Sequence, residues 1–221
     1  MQMLFQKNDR VLFYGDSVTD ADRSKPTGQG IAVFNPWGYG YVSKIAAFMG
    51  GIYPELNIHF INKGTSGEQT RHLVRRFDTD VRAENPDVIS IMIGANDIWR
   101  QFDESDNPAE HVLIDEYTEN MKKLIDMSLE VTDRVIIMSP FMIESCKEDA
   151  MLQKIYAYTE VCERLAKEKG VIFINTMSGI EELLKSHHPY YYSWDRIHPS
   201  AMVQAKLVSM FFKATGLDLM K

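Results

Sequence analysis

Residues 10–20 read RVLFYGDSVTD, and this stretch indicates the fold class from which the rest of the chain can be interpreted. Its apolar residues 11–14 continue without a polar interruption, which is typical of a strand buried on both faces of a sheet. A turn that opens at Gly15 then brings several polar residues. Similar short apolar runs recur along the chain, and they predict further buried strands at 58–62, 88–93, 135–138 and 171–175.

Longer segments with helical spacing lie between these runs, and they predict helices over 39–49, 69–82, 114–130, 151–169 and 201–215. Glycines just past three of them, Gly50 with Gly51, Gly170 and Gly216, are expected to end those helices. Strands alternating with helices predict a three-layer α/β/α fold around a mainly parallel, five-stranded sheet. We find no internal repeat or linker, so we expect a single domain over residues 1–221.

The amino-acid composition excludes some classes of binding partner. The 221 residues include 24 Lys and Arg against 31 Asp and Glu, a net charge of −7, so neither a nucleic acid nor an anionic membrane is expected as a partner. Charged and polar residues at 7–10 interrupt the amino-terminal segment before any secretory apolar run, and no later stretch suits a membrane span. With only two cysteines, Cys146 and Cys162, we expect free thiols in a cytoplasmic protein.

Residues that follow the predicted strands carry the functional groups. In an open α/β sheet the binding site lies outside the carboxyl ends of the strands, and the segments found there are 15–20, 62–67 and 94–97. A fourth segment, 194–200, precedes the last predicted helix. Each segment alone is more often a turn, a helix cap or a surface loop. Their joint occurrence predicts one site that contains a serine, a histidine, an aspartate and amide donors.

Ser17, His198 and Asp195 have the chemistry of a catalytic triad. A serine hydroxyl needs a neighbouring base before it can act as a nucleophile, and His198 is the candidate base. Asp195 lies three residues earlier, close enough to orient the imidazole. Pro199 favours a loop that ends at the histidine.

Three groups are candidate donors to an oxyanion. They are the Ser17 N–H, the Gly64 N–H, which no Cβ obstructs, and the Asn96 side-chain amide. Together they would form an oxyanion hole for the tetrahedral intermediate of acyl transfer.

These segments resemble the conserved blocks of the SGNH/GDSL hydrolases, a family of esterases and lipases. Ser17, Gly64, Asn96 and His198 match the four residues after which the family is named, and Val18 replaces the leucine of the GDSL motif. Much of the chain is also similar to intracellular bacterial acetylxylan esterases of this family, through short stretches at 53–56, 62–64, 90–94, 98–101, 115–117 and 194–196. The resemblance implies a flavodoxin-like fold, hydrolysis of small acyl esters, foremost acetyl esters of xylo-oligosaccharides, a homo-oligomer, and no metal or other cofactor.

Several residues near these blocks have less specific signals. Aromatic side chains that could stack on a sugar are Trp99, Tyr191 and Trp194, although a core or interface role is an equal alternative. Arg23 is either a rim residue that binds substrate or the partner of a nearby carboxylate. Asp16 and Asp97 are expected to be buried carboxylates that support turns rather than a metal pair.

Other functions fit parts of the pattern. A lipase or an acyl-thioester hydrolase would use the same triad, because the triad does not select the leaving group. A non-catalytic carbohydrate-binding protein could retain the fold. A metal-dependent phosphoesterase would use Asp16, Asn96 and Asp97.

Overall fold

The computed structural model of the protein describes residues 3–25 and 34–218. Five strands form one sheet in the order β2-β1-β3-β4-β5, and every pairing between them is parallel. The strands are β1 Arg10–Gly15, β2 His59–Gly64, β3 Val88–Met92, β4 Val135–Met138 and β5 Ile172–Ile174. The predicted α/β class with a five-stranded parallel sheet is confirmed.

Helices flank the sheet on both faces. They are α1 Ser17–Asp20, α2 Tyr41–Ile52, α3 Thr70–Asp80, α4 Ala95–Asp103, α5 Ile114–Leu129, α6 Ala150–Lys169, α7 Thr176–Leu184, α8 Pro189–Tyr192 and α9 Ala201–Thr215. One group is formed by α3, α5 and α6, which pack in that order, and a second by α2 and α7, which both pack on α9. These groups are the outer layers of the predicted three-layer arrangement.

Helix ends show where local sequence signals work and where they fail. Gly170 and Gly216 end α6 and α9 in the left-handed conformation, with φ of 70° and 74°, as predicted. The stop expected at Gly50 and Gly51 is wrong, because α2 continues to Ile52. Neither glycine adopts the positive φ that ends α6 and α9, so the helical backbone continues through both. Four helices were not predicted: α1, α4, α7 and α8.

The central strand places the functional site. All the side chains of β1 from Val11 to Tyr14 are fully buried, and its neighbours β2 and β3 both follow it in sequence. The chain leaves β1 toward β2 and leaves β3 toward β4, in opposite directions along the sheet, which opens a crevice between the carboxyl ends of β1 and β3. Ser17 stands at this position. Within the described ranges, no helix is long and apolar enough to span a membrane.

Candidate active site

Ser17 is the first residue of α1 and directly follows the turn that ends β1. Asp16 caps this helix, because its Oδ1 accepts a hydrogen bond of 3.0 Å from the Val18 N–H. Gly15 is required for close packing, since a Cβ there would lie 2.3 Å from the Met92 carbonyl oxygen. The sheet edge and the cap thus fix the position of the Ser17 backbone.

A chain of hydrogen bonds joins the three predicted triad residues. Ser17 Oγ lies 2.9 Å from His198 Nε2, and His198 Nδ1 lies 2.5 Å from Asp195 Oδ2. The hydroxyl and the carboxylate therefore contact opposite nitrogens of one imidazole. This order allows the ring to accept the serine proton while the carboxylate stabilises the imidazolium that forms.

Asp195 is oriented by its own loop. Its Oδ1 accepts hydrogen bonds from the Ile197 N–H at 3.0 Å and the His198 N–H at 2.8 Å. Ser193 Oγ donates a third bond of 3.0 Å to the same oxygen. Burial alone would raise the pKa of Asp195, but the hydrogen bonds from the His198 ring and from the two backbone N–H groups outweigh it and lower the pKa. Asp195 is therefore held as a carboxylate.

Arg196 connects the loop that carries Asp195 and His198 to the start of α6. Its backbone is left-handed with φ of 70°, a conformation that is unusual for a side chain other than glycine. Its Nη1 lies 2.9 Å from both Glu144 Oε2 and Asp149 Oδ2, and its carbonyl accepts a bond of 2.7 Å from the Ile143 N–H. Polar contacts on both sides of Arg196 compensate for the backbone strain between Asp195 and His198.

Asn96 lies in the first turn of α4, beside the site, and presents an amide. One hydrogen of Nδ2 is donated to the Glu68 carbonyl at 3.0 Å, which leaves the other for a ligand. Its Oδ1 accepts a bond of 3.4 Å from Arg100 Nη2. These two contacts determine the orientation of the Asn96 side-chain amide.

Gly64 occupies a position that only glycine fits. A Cβ on it would lie 2.2 Å from the Asp20 backbone nitrogen in α1. Its N–H donates to Asn62 Oδ1 at 2.9 Å, so an oxyanion would have to share or displace that bond. Asn62 also donates to the Thr19 and Trp37 carbonyls, at 2.7 and 2.9 Å. It is a structural residue of the site that the sequence analysis missed, although the Asn-x-Gly spacing was visible.

Arg23 is not a rim residue. Its side chain is buried, and its Nε donates a bond of 2.8 Å to the Gly64 carbonyl. The ion pair considered for it is also absent from the described contacts, since Asp20 pairs with Lys25 at 2.9 Å. Arg23 therefore stabilises the position of the Gly64 backbone.

Two of the three predicted aromatic residues flank His198. The Trp194 ring is nearly parallel to the imidazole, with centroids 6.4 Å apart, and is 79% exposed. The Trp99 ring approaches it edge-on at 6.0 Å. Tyr191 is not brought to the site by any described contact, because its ring stacks on His187.

The hydroxyl of Ser17 opens into a cleft of about 210 Å³. Its other lining residues are Val18, Ala21, Asp22, Tyr39, His198, Pro199 and Gln204. Carboxylate, amide and phenol groups in this wall are suited to binding hydroxyls. A larger hollow of about 750 Å³ lies beside β5, between α7 and α9, and contains none of the triad residues.

Asp16 and Asp97 are buried beneath the site. Burial raises the pKa of Asp16 to about 6 and that of Asp97 to about 7. Asp97 accepts hydrogen bonds from the Thr70 N–H and hydroxyl, which ties α4 to α3. Both are buried, as expected, but only Asp16 supports its own turn, whereas Asp97 holds the start of α3. No group of three or more metal-ligating side chains occurs in the described residues, 3–25 and 34–218.

A serine, an imidazole and a buried carboxylate in hydrogen-bonded sequence at the carboxyl edge of a parallel sheet define the class of serine hydrolases. A model of the GDSL-like Lipase/Acylhydrolase family matches residues 13–206. The chain belongs to this family, which confirms the predicted family and the predicted class of enzyme, a carboxylic ester hydrolase.

Individual relatives are similar over most of their length. An acetylxylan esterase from Geobacillus stearothermophilus is 37% identical over 216 residues, 98% of each chain. Its crystal structure superposes with a TM-score of 0.95 at 36% identity over 98% of both chains, and catalytic mutants of it with alanine in place of a serine, an aspartate or a histidine match equally. An isoamyl acetate-hydrolyzing esterase 1 homologue from Rattus norvegicus is 25% identical over 73% of this chain and 64% of its own length.

Proposed function

We propose that this protein is a serine esterase that removes acetyl groups from xylo-oligosaccharides or a closely related carbohydrate. The observation that carries the proposal is the continuous contact from Ser17 Oγ through the His198 imidazole to Asp195. The acetyl group is supported by the relatives, because an acetylxylan esterase and an isoamyl acetate-hydrolyzing esterase are both named for acetate esters.

Acylation begins at Ser17. Its Oγ attacks the acetyl carbonyl carbon while His198 Nε2 takes the hydroxyl proton, and Asp195 stabilises the resulting imidazolium. The carbonyl oxygen becomes an oxyanion, which the Ser17 N–H, the Asn96 Nδ2 and the Gly64 N–H stabilise. The intermediate collapses as Nε2 returns the proton to the departing sugar oxygen, and the acetyl group remains on Ser17.

Deacylation repeats these steps with water. A water molecule gives a proton to His198 Nε2 and attacks the acetyl-serine carbonyl, and the same donors hold the second oxyanion. Collapse breaks the bond to Ser17 Oγ, which regains its proton from the imidazolium. Acetate is released and the resting triad is restored.

The carbohydrate assignment also draws on the walls around the triad. Asp22 in the Ser17 cleft offers acceptors for sugar hydroxyls, and Gln204, whose amide also bonds Lys44 and the Pro199 carbonyl, adds a polar surface. Trp194 is broadly exposed beside the imidazole and offers an apolar ring face to the leaving sugar. An alkyl leaving group would leave the polar wall without partners.

The proposal is tested by comparing acetate release from acetylated xylotriose with hydrolysis of isoamyl acetate and a nitrophenyl octanoate. We expect the highest kcat/KM on the acetylated xylotriose. Ser17→Ala should lower kcat on every substrate by about 10⁴-fold or more. Ser145→Ala, which removes an exposed hydroxyl, is the matched control and should change nothing.

The two parts of the proposal fail separately. Full activity in Ser17→Ala would show that Ser17 is not the nucleophile, and it would refute the mechanism. Preference for the octanoate or for isoamyl acetate would leave the triad in place and refute the carbohydrate assignment.

A further inference from the structure

A second cleft lies beside the Ser17 cleft and has no role in the mechanism above. It encloses about 390 Å³ between α4 and the start of α6. Trp99, Phe102 and Asp103 of α4 line it, together with Asp149, Met151 and Arg196. This volume falls within the range of about 300–1,000 Å³ that is usual for small-molecule sites.

The lining has the chemistry that binds a neutral polyhydroxyl ring. Phe102 is 39% exposed at the cleft and offers an apolar surface. Asp103 and Arg196 provide polar atoms beyond those they use in ion pairs with Arg100, Glu144 and Asp149. A strong anion would meet the carboxylates, and a purely apolar chain would leave this polar edge without partners. A sugar ring satisfies both parts of the wall.

Two residues connect this cleft to the triad. Trp99 lines the cleft and also places its ring edge-on to the His198 imidazole at 6.0 Å. Arg196 lines it as well and lies in the chain between Asp195 and His198. Residues of the same loop, Arg196 and His198, therefore line the two clefts, which places both clefts next to the triad.

A long substrate must extend beyond the Ser17 cleft. At about 210 Å³ it is smaller than the usual small-molecule site, so it has space for one sugar residue rather than a chain. We propose that the cleft between α4 and α6 is a subsite that binds a neighbouring sugar residue of the oligosaccharide whose acetylated residue occupies the Ser17 cleft. This inference rests on the proposed carbohydrate esterase function.

Phe102→Ala tests the subsite, because it removes the exposed apolar wall and leaves the triad contacts intact. We expect kcat/KM on acetylated xylotriose to fall about tenfold, the equivalent of roughly 1.4 kcal/mol. Acetylated xylose, a single sugar, and nitrophenyl acetate should be hydrolysed at wild-type rates. Phe102→Tyr keeps a ring at this position and should retain the activity on xylotriose.

Phe48→Ala is the matched control. Phe48 is 45% exposed, lies on α2 and packs on Phe212, so its loss removes a comparable ring away from the cleft. It should not change the ratio of xylotriose to xylose activity. Equal losses on both sugars in Phe102→Ala, or no loss on xylotriose, would overturn the subsite. If the wild-type enzyme hydrolyses neither acetylated sugar but cleaves nitrophenyl acetate, the proposed function itself is wrong, and the subsite assignment is refuted with it.

Discussion

Ser17 and His198 lie 2.9 Å apart, yet the segments that carry them are held in different ways. The nucleophile floor, residues 15–20, 62–64 and 94–97, is part of the sheet edge and the helices that start there. The His198 loop, residues 193–199, contains no helix or strand, and the His198 side chain is 37% exposed. Burial in the core holds the nucleophile floor in place, whereas charged and polar contacts hold the His198 loop.

The difference shows which forces position the catalytic groups in each region. On the floor, glycine is required because a Cβ on Gly15 or Gly64 would come within 2.3 Å of neighbouring backbone atoms. In the loop, Ile197 packs in the apolar core, and the Asp195 carboxylate and the two ion pairs of Arg196 supply the polar contacts around it. Changes to the floor should therefore act through geometry, whereas changes to the charge pairs that hold the loop, outside the triad residues Asp195 and His198, should act through electrostatics and be milder.

Among changes that leave the triad intact, the largest effect is expected on the floor at Asn96. Asn96→Ala removes one donor to the oxyanion and should lower kcat for nitrophenyl acetate by about 10²- to 10³-fold. KM should change little, because the donor acts mainly in the transition state. Steady-state kinetics measure both values. Asn107→Ala, on an exposed turn, is the control, and a loss confined to KM would show that Asn96 binds the ground state instead.

A smaller effect is expected in the loop at Arg196. Arg196→Ala removes both ion pairs while the Asp195 hydrogen bonds remain, so kcat for nitrophenyl acetate should fall about fivefold, in keeping with roughly 1 kcal/mol for a partly exposed charge pair. The loss should be reproduced in the wild-type protein by high salt, which screens such pairs. Arg164→Ala, which breaks a surface pair with Glu168, serves as the control. A loss as large as that of Asn96→Ala would contradict the division between the two regions.

The last expected effect is on stability rather than on rate, and it concerns the buried acid Asp97. Its pKa is raised to about 7 by burial, whereas an unfolded aspartate has a pKa of about 3.9. The folded state therefore binds the proton more tightly, and the stability linked to this group is full below pH 4 and is lost as pH rises through 7. Asp97→Asn cannot ionise, so its melting temperature relative to wild type should increase between pH 5 and pH 8.

The pKa of Asp195 is shifted in the opposite direction, so its contribution to stability depends on pH in the opposite way. Its pKa is lowered in the folded state, so its contribution to stability is present above pH 4 and lost on acidification through its folded pKa. Thermal melts of Asp97→Asn between pH 5 and pH 8, with the exposed-site control Asp133→Asn, report on Asp97, because Asp195 is already ionised throughout this range. A melting difference for Asp97→Asn that shrinks with rising pH would show that Asp97 is a stabilised anion.

Sequence was a good guide wherever one local rule determined the structure. The strands were recognisable because they are apolar on both faces, and the rule that sites lie at strand ends led to Ser17, Gly64 and Asn96. The long helices were recognisable from their periodicity. The short helix α1 was missed because its four residues are too few to show a period.

Contacts between distant segments could not be predicted in this way. Arg196 adopts a positive φ that its residue type does not signal, and the ion pairs that hold it come from residues about 50 positions away. The bond from the Gly64 N–H to Asn62 also depends on tertiary placement. Tyr191 looked like a candidate for sugar stacking, but its ring stacks on His187.

Covalent labelling tests the central claim, the convergence of Ser17 with His198 and Asp195, most directly. A fluorophosphonate reacts only with a serine whose proton a neighbouring base removes. Peptide mapping by mass spectrometry should find a single adduct on Ser17, greatly slowed labelling in His198→Ala and none in Ser17→Ala. Labelling of a different serine, or an unchanged rate in His198→Ala, would contradict the account.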